Sequence, residues 1–182
     1  MSSIRSLRLE AACGCLLLLS SCGWRIHAPP VKVELSGQAI SASSQHPSFG
    51  PALLVDRGLL AENAWHSAER PSYPQWIQIQ LPQPARLRRF GLQAQVNSPQ
   101  TRTNNVDRAP RKLRLWASED PNFKVYEDLG SFNLTYKSSG DWCMRRITTP
   151  ANVHSYYRFI ILENGGDSDF VTIQEMNFYC DE

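Results

Sequence analysis

The sequence predicts an all-β domain, either a sandwich or a barrel. Apolar residues recur with period two in one run after another, the pattern of strands that bury one face. Proline and Gly/Asn/Ser clusters interrupt those runs at short intervals, as expected where strands are joined by turns, and the chain holds 12 prolines and 10 glycines. Only the stretch from Pro51 to Leu60 suits a helical turn or two. In chain order, Val31, Val33 and Leu35 alternate with Lys32 and Glu34 as a first strand. Ile77, Ile79 and Leu81 alternate with Gln78 and Gln80, and Phe90, Leu92, Ala94 and Val96 with Gly91, Gln93 and Gln95. Leu113, Leu115 and Ala117 alternate with Arg114 and Trp116. Tyr156 to Leu162 is nearly all apolar, the composition of a central strand covered on both faces. In the last strand Val171 and Ile173 share one phase while Met176, Phe178 and Cys180 take the other. That slip at Gln174-Glu175 predicts a β-bulge, unless both faces are covered there. Arg86, Arg88 and Arg89 read as a solvated strand edge that discourages edge-to-edge pairing.

The chain has 182 residues, 42% hydrophobic and 20% charged, which suits one packed domain with short additions and excludes wholesale disorder. A formal net charge of +2 gives no broad electrostatic footprint for nucleic acid or an anionic membrane. Residues 1–21 read as a signal peptide: a basic start with Arg5 and Arg8, a short apolar run ending at Leu19, then small residues. Leu19-Ser20-Ser21-Cys22 resembles the bacterial lipobox. That resemblance implies lipidation of Cys22 (palmitate among the acyl groups) and export to the cell envelope, at an outer membrane where the host has one. Losing Arg5, Arg8 and Glu10 with the leader lowers the net charge from +2 to +1. Residues 22–30, ending in Pro29-Pro30, form a stiff tether, and 31–182 the domain. Cys13 and Cys15 leave with the leader and Cys22 takes lipid. Cys143 and Cys180 remain, and in an oxidising compartment they suggest a disulfide, the alternative being two separately buried thiols.

Zinc-ligand spacing, a P-loop, a GxSxG elbow and HExxH are all absent from the sequence, and no carboxylate pair stands out among scattered acids. The four histidines are His27, His46, His66 and His154. A non-catalytic binding protein is therefore expected. The loop from Asn97 to Pro110 is long and polar, the best single location for a binding surface.

Three segments, in order, resemble the discoidin family, also called coagulation factor V/VIII type C, and within it the family-32 carbohydrate-binding modules. They are Ala52-Leu-Leu-Val-Asp56-Arg-Gly58 with Asn63-Ala-Trp65-His66-Ser67; Tyr73-Pro-Gln-Trp76-Ile-Gln-Ile-Gln-Leu81; and a dispersed set of Arg102, Pro110 to Asp120, Tyr156 to Phe159 and Ile173 to Met176. The resemblance implies an eight-stranded jelly-roll β-sandwich. It also implies a structural calcium ion held by Asp56, Asn63, Ser67 and Glu175, oxygen donors that suit this cation. Arg57-Gly58 departs from the Gly-Asn usual there, and the alternative roles are a turn cap for Asp56 and an arginine partner for Glu175. For sugar binding the resemblance points to His66, Arg102, Asn104 or Asn105, and Phe170, with Tyr73 as a flanking aromatic. Imidazole, guanidinium and amide groups give directional hydrogen bonds to hydroxyls, and an aromatic face stacks on the C–H face of a sugar. The structural alternatives are that His66 packs on Trp65, Arg102 is an unliganded loop residue and Phe170 is core. Galactose- or amino-sugar-type glycans are the expected partners, with a cell-surface or envelope protein as the alternative.

Overall fold

A computed structural model describes residues 28–98, 105–149 and 151–181. The leader, Cys22, Arg102 and Asn104 lie outside the described residues. Among the described residues there are eleven strands: β1 (Val31–Val33), β2 (Ile40–Ala42), β3 (Trp65–His66), β4 (Gln75–Ala85), β5 (Leu87–Gln93), β6 (Pro110–Ser118), β7 (Glu127–Asn133), β8 (Trp142–Arg146), β9 (His154–Asn164), β10 (Thr172–Ile173) and β11 (Met176–Cys180). They form a four-stranded sheet in the order β1-β11-β5-β8, a five-stranded sheet β2-β4-β9-β6-β7 and a short ribbon β10-β3. All the pairings are antiparallel. This is the jelly-roll sandwich expected, and the strand count exceeds eight because β1, β2, β3 and β10 are separate pieces of two or three residues. The helical turn expected near Pro51 is a 3-10 turn, Pro51–Val55.

The two large sheets meet through the residues whose alternation defined the strands. Ile77 and Ile79 of β4, Leu113 and Leu115 of β6, and Phe90 and Leu92 of β5 are fully buried. Phe159 at the centre lies edge-on to Phe90, 5.2 Å between centroids, and 5.8 Å from Phe178. Truncating such a ring costs about 3–5 kcal/mol. The Tyr157 hydroxyl donates to Ala85 O (2.7 Å) and accepts from Leu87 N–H (3.1 Å), fixing the corner between β4 and β5.

Four sequence expectations are corrected or refined. β9 is central, but only Tyr157, Phe159 and Ile161 face the core; Leu162 is exposed on the other side. There Arg158 lies over Trp76 (4.6 Å) and Phe123 (4.1 Å), so a stacked guanidinium covers part of the outer face in place of a second core. The Arg86–Arg89 run is not a sheet edge, because β5 pairs with β11 on one side and β8 on the other. The slip at Gln174-Glu175 is a bulge with a particular cause: Gln174 N–H donates to Gln93 O and Gln93 N–H donates to Glu175 O, each 2.9 Å, so two residues answer one while the chain leaves the ribbon for the main sheet. Finally, Cys143 and Cys180 are not bridged; both are buried free thiols. Cys143 pairs across from Leu92 and Cys180 from Leu87, so β5 runs between them and they are staggered along it. Two strand spacings alone come to about 9.5 Å, and Cα atoms more than about 7 Å apart cannot be bridged. Burial pushes the Cys180 thiol up to about 12, which keeps it protonated and unreactive.

Candidate functional site

One end of the sandwich gathers four rings on backbone supports that the sequence did not advertise. Ser43 and Ser44 hydroxyls donate to the Gln75 side-chain oxygen (2.7 and 2.6 Å), tying the chain after β2 to the start of β4. The next turn docks on β3: His46 N–H donates to His66 O (2.9 Å) and His66 N–H to Phe49 O (3.2 Å). On the other side of β3, Ser67 N–H donates to Val171 O (2.9 Å) and Val171 N–H returns to Ser67 Oγ (3.0 Å). Phe170 precedes this clasp and is set by a tight turn. Asp167 Oδ1 accepts from the Asp169 and Phe170 amides (2.8 and 2.9 Å), and Asn164 Nδ2 donates to Phe170 O (3.0 Å).

The rings converge as a result. His66 stacks on Phe49 at 4.5 Å and lies 5.6 Å from Phe170; His46 is 6.2 Å from Phe170 and 5.0 Å from Phe49. Arg108 donates from Nε to Asp167 Oδ2 at 2.9 Å and places its guanidinium 5.4 Å from the Phe170 centroid. Burial alone would raise the Asp167 carboxyl, but Arg108 and the two amides outweigh it and hold it below its ordinary value.

His66 is built to be neutral. Burial, with Arg108 and His46 nearby, lowers its imidazole to about 4. The hydrogen bonds give the tautomer as well. Gln95 Nε2 donates to Ala61 O (2.8 Å), which orients the amide with its nitrogen also 3.0 Å from His66 Nε2. Nε2 must then accept, so the proton sits on Nδ1. Nδ1–H has no partner among the described residues and is a donor for a ligand. A neutral imidazole suits an uncharged hydroxyl.

Of the expected sugar-site residues, the structure brings His66 and Phe170 together. Tyr73, exposed, joins the same end through its neighbours Asn164 and Asp167. Asn105 does not join them. It is 2% exposed, and its Nδ2 donates to Val96 O (2.8 Å), so it anchors the base of the 97–110 loop. His66 does not simply pack on Trp65, and Phe170 is half-buried, not core. The sequence reading missed His46, Phe49, Gln95 and Asp167 as site residues, and reached Arg108 only as one of the polar residues of the 97–110 loop. All five lie outside strands, and Gln95 entered the sequence pattern only as an outward residue of an alternating run; the hint for His46 was only the scarcity of histidine.

The expected cation ligands divide. Asp56 and Glu175 approach each other, and Asn63 Nδ2 lies 3.3 Å from Asp56 Oδ2. Ser67 is elsewhere, committed to Val171 and Ala68, because β3 carries it away from Asn63. Asp56 also caps its turn, accepting from Gly58 N–H at 2.7 Å, and Glu175 has no arginine ion pair among the described residues, meeting Arg57 only through its backbone amide. Arg57, where glycine is usual, keeps the left-handed backbone of that position at φ 61°. Burial and the neighbouring Asp56 push the Glu175 carboxyl up to about 7, and its Oε1 is buried without a partner. Paired oxygen donors with an unsatisfied buried carboxylate fit a hard cation. The nearby carbonyls of Gly58 and Leu60, however, are taken by Gln174 Nε2 (3.1 and 2.8 Å). Among the described residues no group of three or more His, Cys, Asp or Glu side chains converges to hold a metal.

A family profile described as the F5/8 type C domain matches residues 39–176. Among curated proteins no relative matches. Similar solved structures include the family 32 carbohydrate-binding module of Clostridium perfringens NanJ, in complex with galactose: TM-score 0.60, 14% identity, covering 82% of this chain and 99% of that one. A second is CpGH89CBM32-5 of Clostridium perfringens, in complex with GalNAc-β-1,3-galactose, at 0.58 and 17% identity, covering 82% of this chain and 100% of that one. A third is chitosan-binding module 1 of a chitosanase/glucanase from Paenibacillus sp. IK-5, at 0.57 and 18% identity, covering 84% and 99%.

Proposed function

This chain belongs to the F5/8 type C domain family, and on that premise we propose that it is a non-catalytic surface module whose aromatic end binds carbohydrate of galactose or amino-sugar type. The observation that carries the reading is the neutral His66, its Nδ1–H unspent, beside the half-buried Phe170 ring. Phe170 offers a face for the apolar side of a pyranose, His66 a donor for a hydroxyl, and Tyr73 a flanking ring. Arg102 and Asn104, which lie outside the described residues, are the further donors this reading assigns. Similar modules solved with galactose and with GalNAc-β-1,3-galactose support the ligand class. Calcium, in this reading, is held by Asp56 and Glu175 with the Asn63 amide oxygen, and it steadies the loop before β3. The lipobox-like Leu19-Ser20-Ser21-Cys22 supports anchoring at the cell envelope through lipid on Cys22.

A glycan array probed with the wild type and His66→Ala, with and without chelator, tests this. Binding to galactose- or amino-sugar-terminated glycans is expected to fall at least tenfold in His66→Ala, and to weaken in chelator if the cation steadies the loop. Folded wild type that binds no glycan overturns the proposal and returns the domain to the protein-partner alternative.

A further inference from the structure

Away from the aromatic end, the outer face of the four-stranded sheet carries a row that crosses all four strands. Lys32 of β1 pairs with Tyr179 of β11, Tyr179 with Arg89 of β5, and Arg89 with Arg146 of β8. Like charges directly opposite one another on a sheet are destabilising. Neither Arg89 nor Arg146 has an ion-pair partner among the described residues. Beside them Arg88 reaches Asp181 at 3.1 Å, and that aspartate is already shared with Arg86. Arg145 donates to Asn133 O at 2.8 Å. Arg88, Arg89, Arg145, Arg146 and Asp181 line a groove of about 550 Å³ together with Pro29 and Pro30. Four arginines thus face one aspartate in a chain whose whole formal charge is only +2.

The geometry selects the kind of anion. The Arg89 guanidinium carbon lies over the Tyr179 ring, 4.2 Å from its centroid, so the ring holds the group in place while its N–H donors have no ion-pair partner among the described residues. Arg146 presents a second fork one strand away. Two adjacent forks match a tetrahedral dianion, which has oxygens for both, better than a carboxylate, which fills one. Pro29 and Pro30 add no N–H donors. We propose that this groove is a binding site for a phosphate ester, formed by Arg89 and Arg146 with Arg88 in support. The groove is lined by Ala28 to Pro30, six residues after Cys22 in the sequence. Six residues of tether reach at most about 20 Å, so on the lipid-anchored reading the headgroups of a membrane are within range. That reading bears on the source of the phosphate, not on the site.

The test is thermal melting of the full chain in non-ionic detergent, titrated with glycerol 1-phosphate. Wild-type melting temperature should rise with ligand. An Arg89→Gln/Arg146→Gln variant should need at least tenfold more ligand for the same rise, while melting no lower than wild type without phosphate, since it loses a like-charge pair. An Arg89→Lys/Arg146→Lys variant keeps the charge but not the forks and should bind at least threefold more weakly. An equal response of wild type and the glutamine variant overturns the site. Full affinity in the lysine variant also overturns it, reducing the groove to a diffuse positive field. The full chain reconstituted in phosphatidylcholine vesicles, with and without phosphatidic acid, the lipid that carries a phosphate monoester, identifies the source. A rise in melting temperature with phosphatidic acid assigns a lipid headgroup, and no rise assigns a soluble phosphate ester; both uphold the site.

Discussion

The two ends of β9 each hold a histidine, and the two are treated in opposite ways. At the Asn164 end, His66 lies among Phe49, Phe170 and His46, and burial, with the Arg108 charge, drives its imidazole neutral. At the other end, about 33 Å along the strand, His154 lies between two carboxylates: Nε2 is 2.8 Å from Glu127 and Nδ1 3.5 Å from Glu119. There the acids are busy with the backbone. Glu127 accepts from Asn152 N–H (3.1 Å), and Glu119 from Ser155 N–H (2.8 Å). The His154 hydrogen bond, ahead of the Asn152 amide, outweighs burial and holds the Glu127 carboxyl below its ordinary value. The first environment withholds a donor from the protein; the second commits His154 Nε2 and both carboxylates to closing β9 against β7, with Nδ1 buried there without a hydrogen bond. A histidine with an unspent N–H beside open rings is a ligand group, and one clasped by carboxylates is a structural joint.

The largest expected effect that would sharpen this contrast is in pH. Because the folded-state value of His66 is about 4 against 6.5 in the unfolded chain, its contribution to stability is complete above pH 6.5 and is lost as pH falls through 4. The loss should approach about 3 kcal/mol. Denaturant melts of wild type and His66→Gln across this range should diverge on the alkaline side and converge near pH 4. Parallel curves would remove the claim that His66 is held neutral.

Binding comes next. Phe170→Ala should weaken glycan binding at least tenfold, about 1.4 kcal/mol, with His154→Gln leaving it unchanged in the same calorimetric titration. Should His154→Gln weaken binding instead, the two ends would exchange roles. A smaller effect belongs to the joint. Glu127→Gln should lower stability by about 1 kcal/mol, or about 2–4 °C in melting temperature, without touching glycan affinity. The smallest is a null result: since Cys143 and Cys180 are separate buried thiols, a reductant should leave the melting curve where it was.

Alternation made the strands readable in advance, because a half-buried strand writes its two faces directly into neighbouring residues. Even the bulge was visible, since Gln174 and Glu175 reverse the phase of everything after them. Pairing across strands left no such trace. Whether Cys143 can meet Cys180 depends on β5 passing between them, a matter of strand order. Asn105 and Asn104 look alike in sequence, yet the Asn105 amide turns inward because the backbone at Val96 needs a donor. The arginine groove was hidden for another reason. Net charge averages over the surface, and a chain near neutrality can still gather its cations on one face.

The edge position of β1 bears on what happens when the domain is pulled. β1 holds three residues, pairs only with β11, and leaves Val31 46% exposed. Tension entering from Ala28 falls first on the Val31–Cys180 pair and can strip β1 pair by pair while the rest of the sandwich stays intact. Releasing Val31 to Leu35 would pay out about 17 Å of chain. A surface-held module would thereby gain a short extensible leader, a mechanical fuse that yields before its ligand end is disturbed.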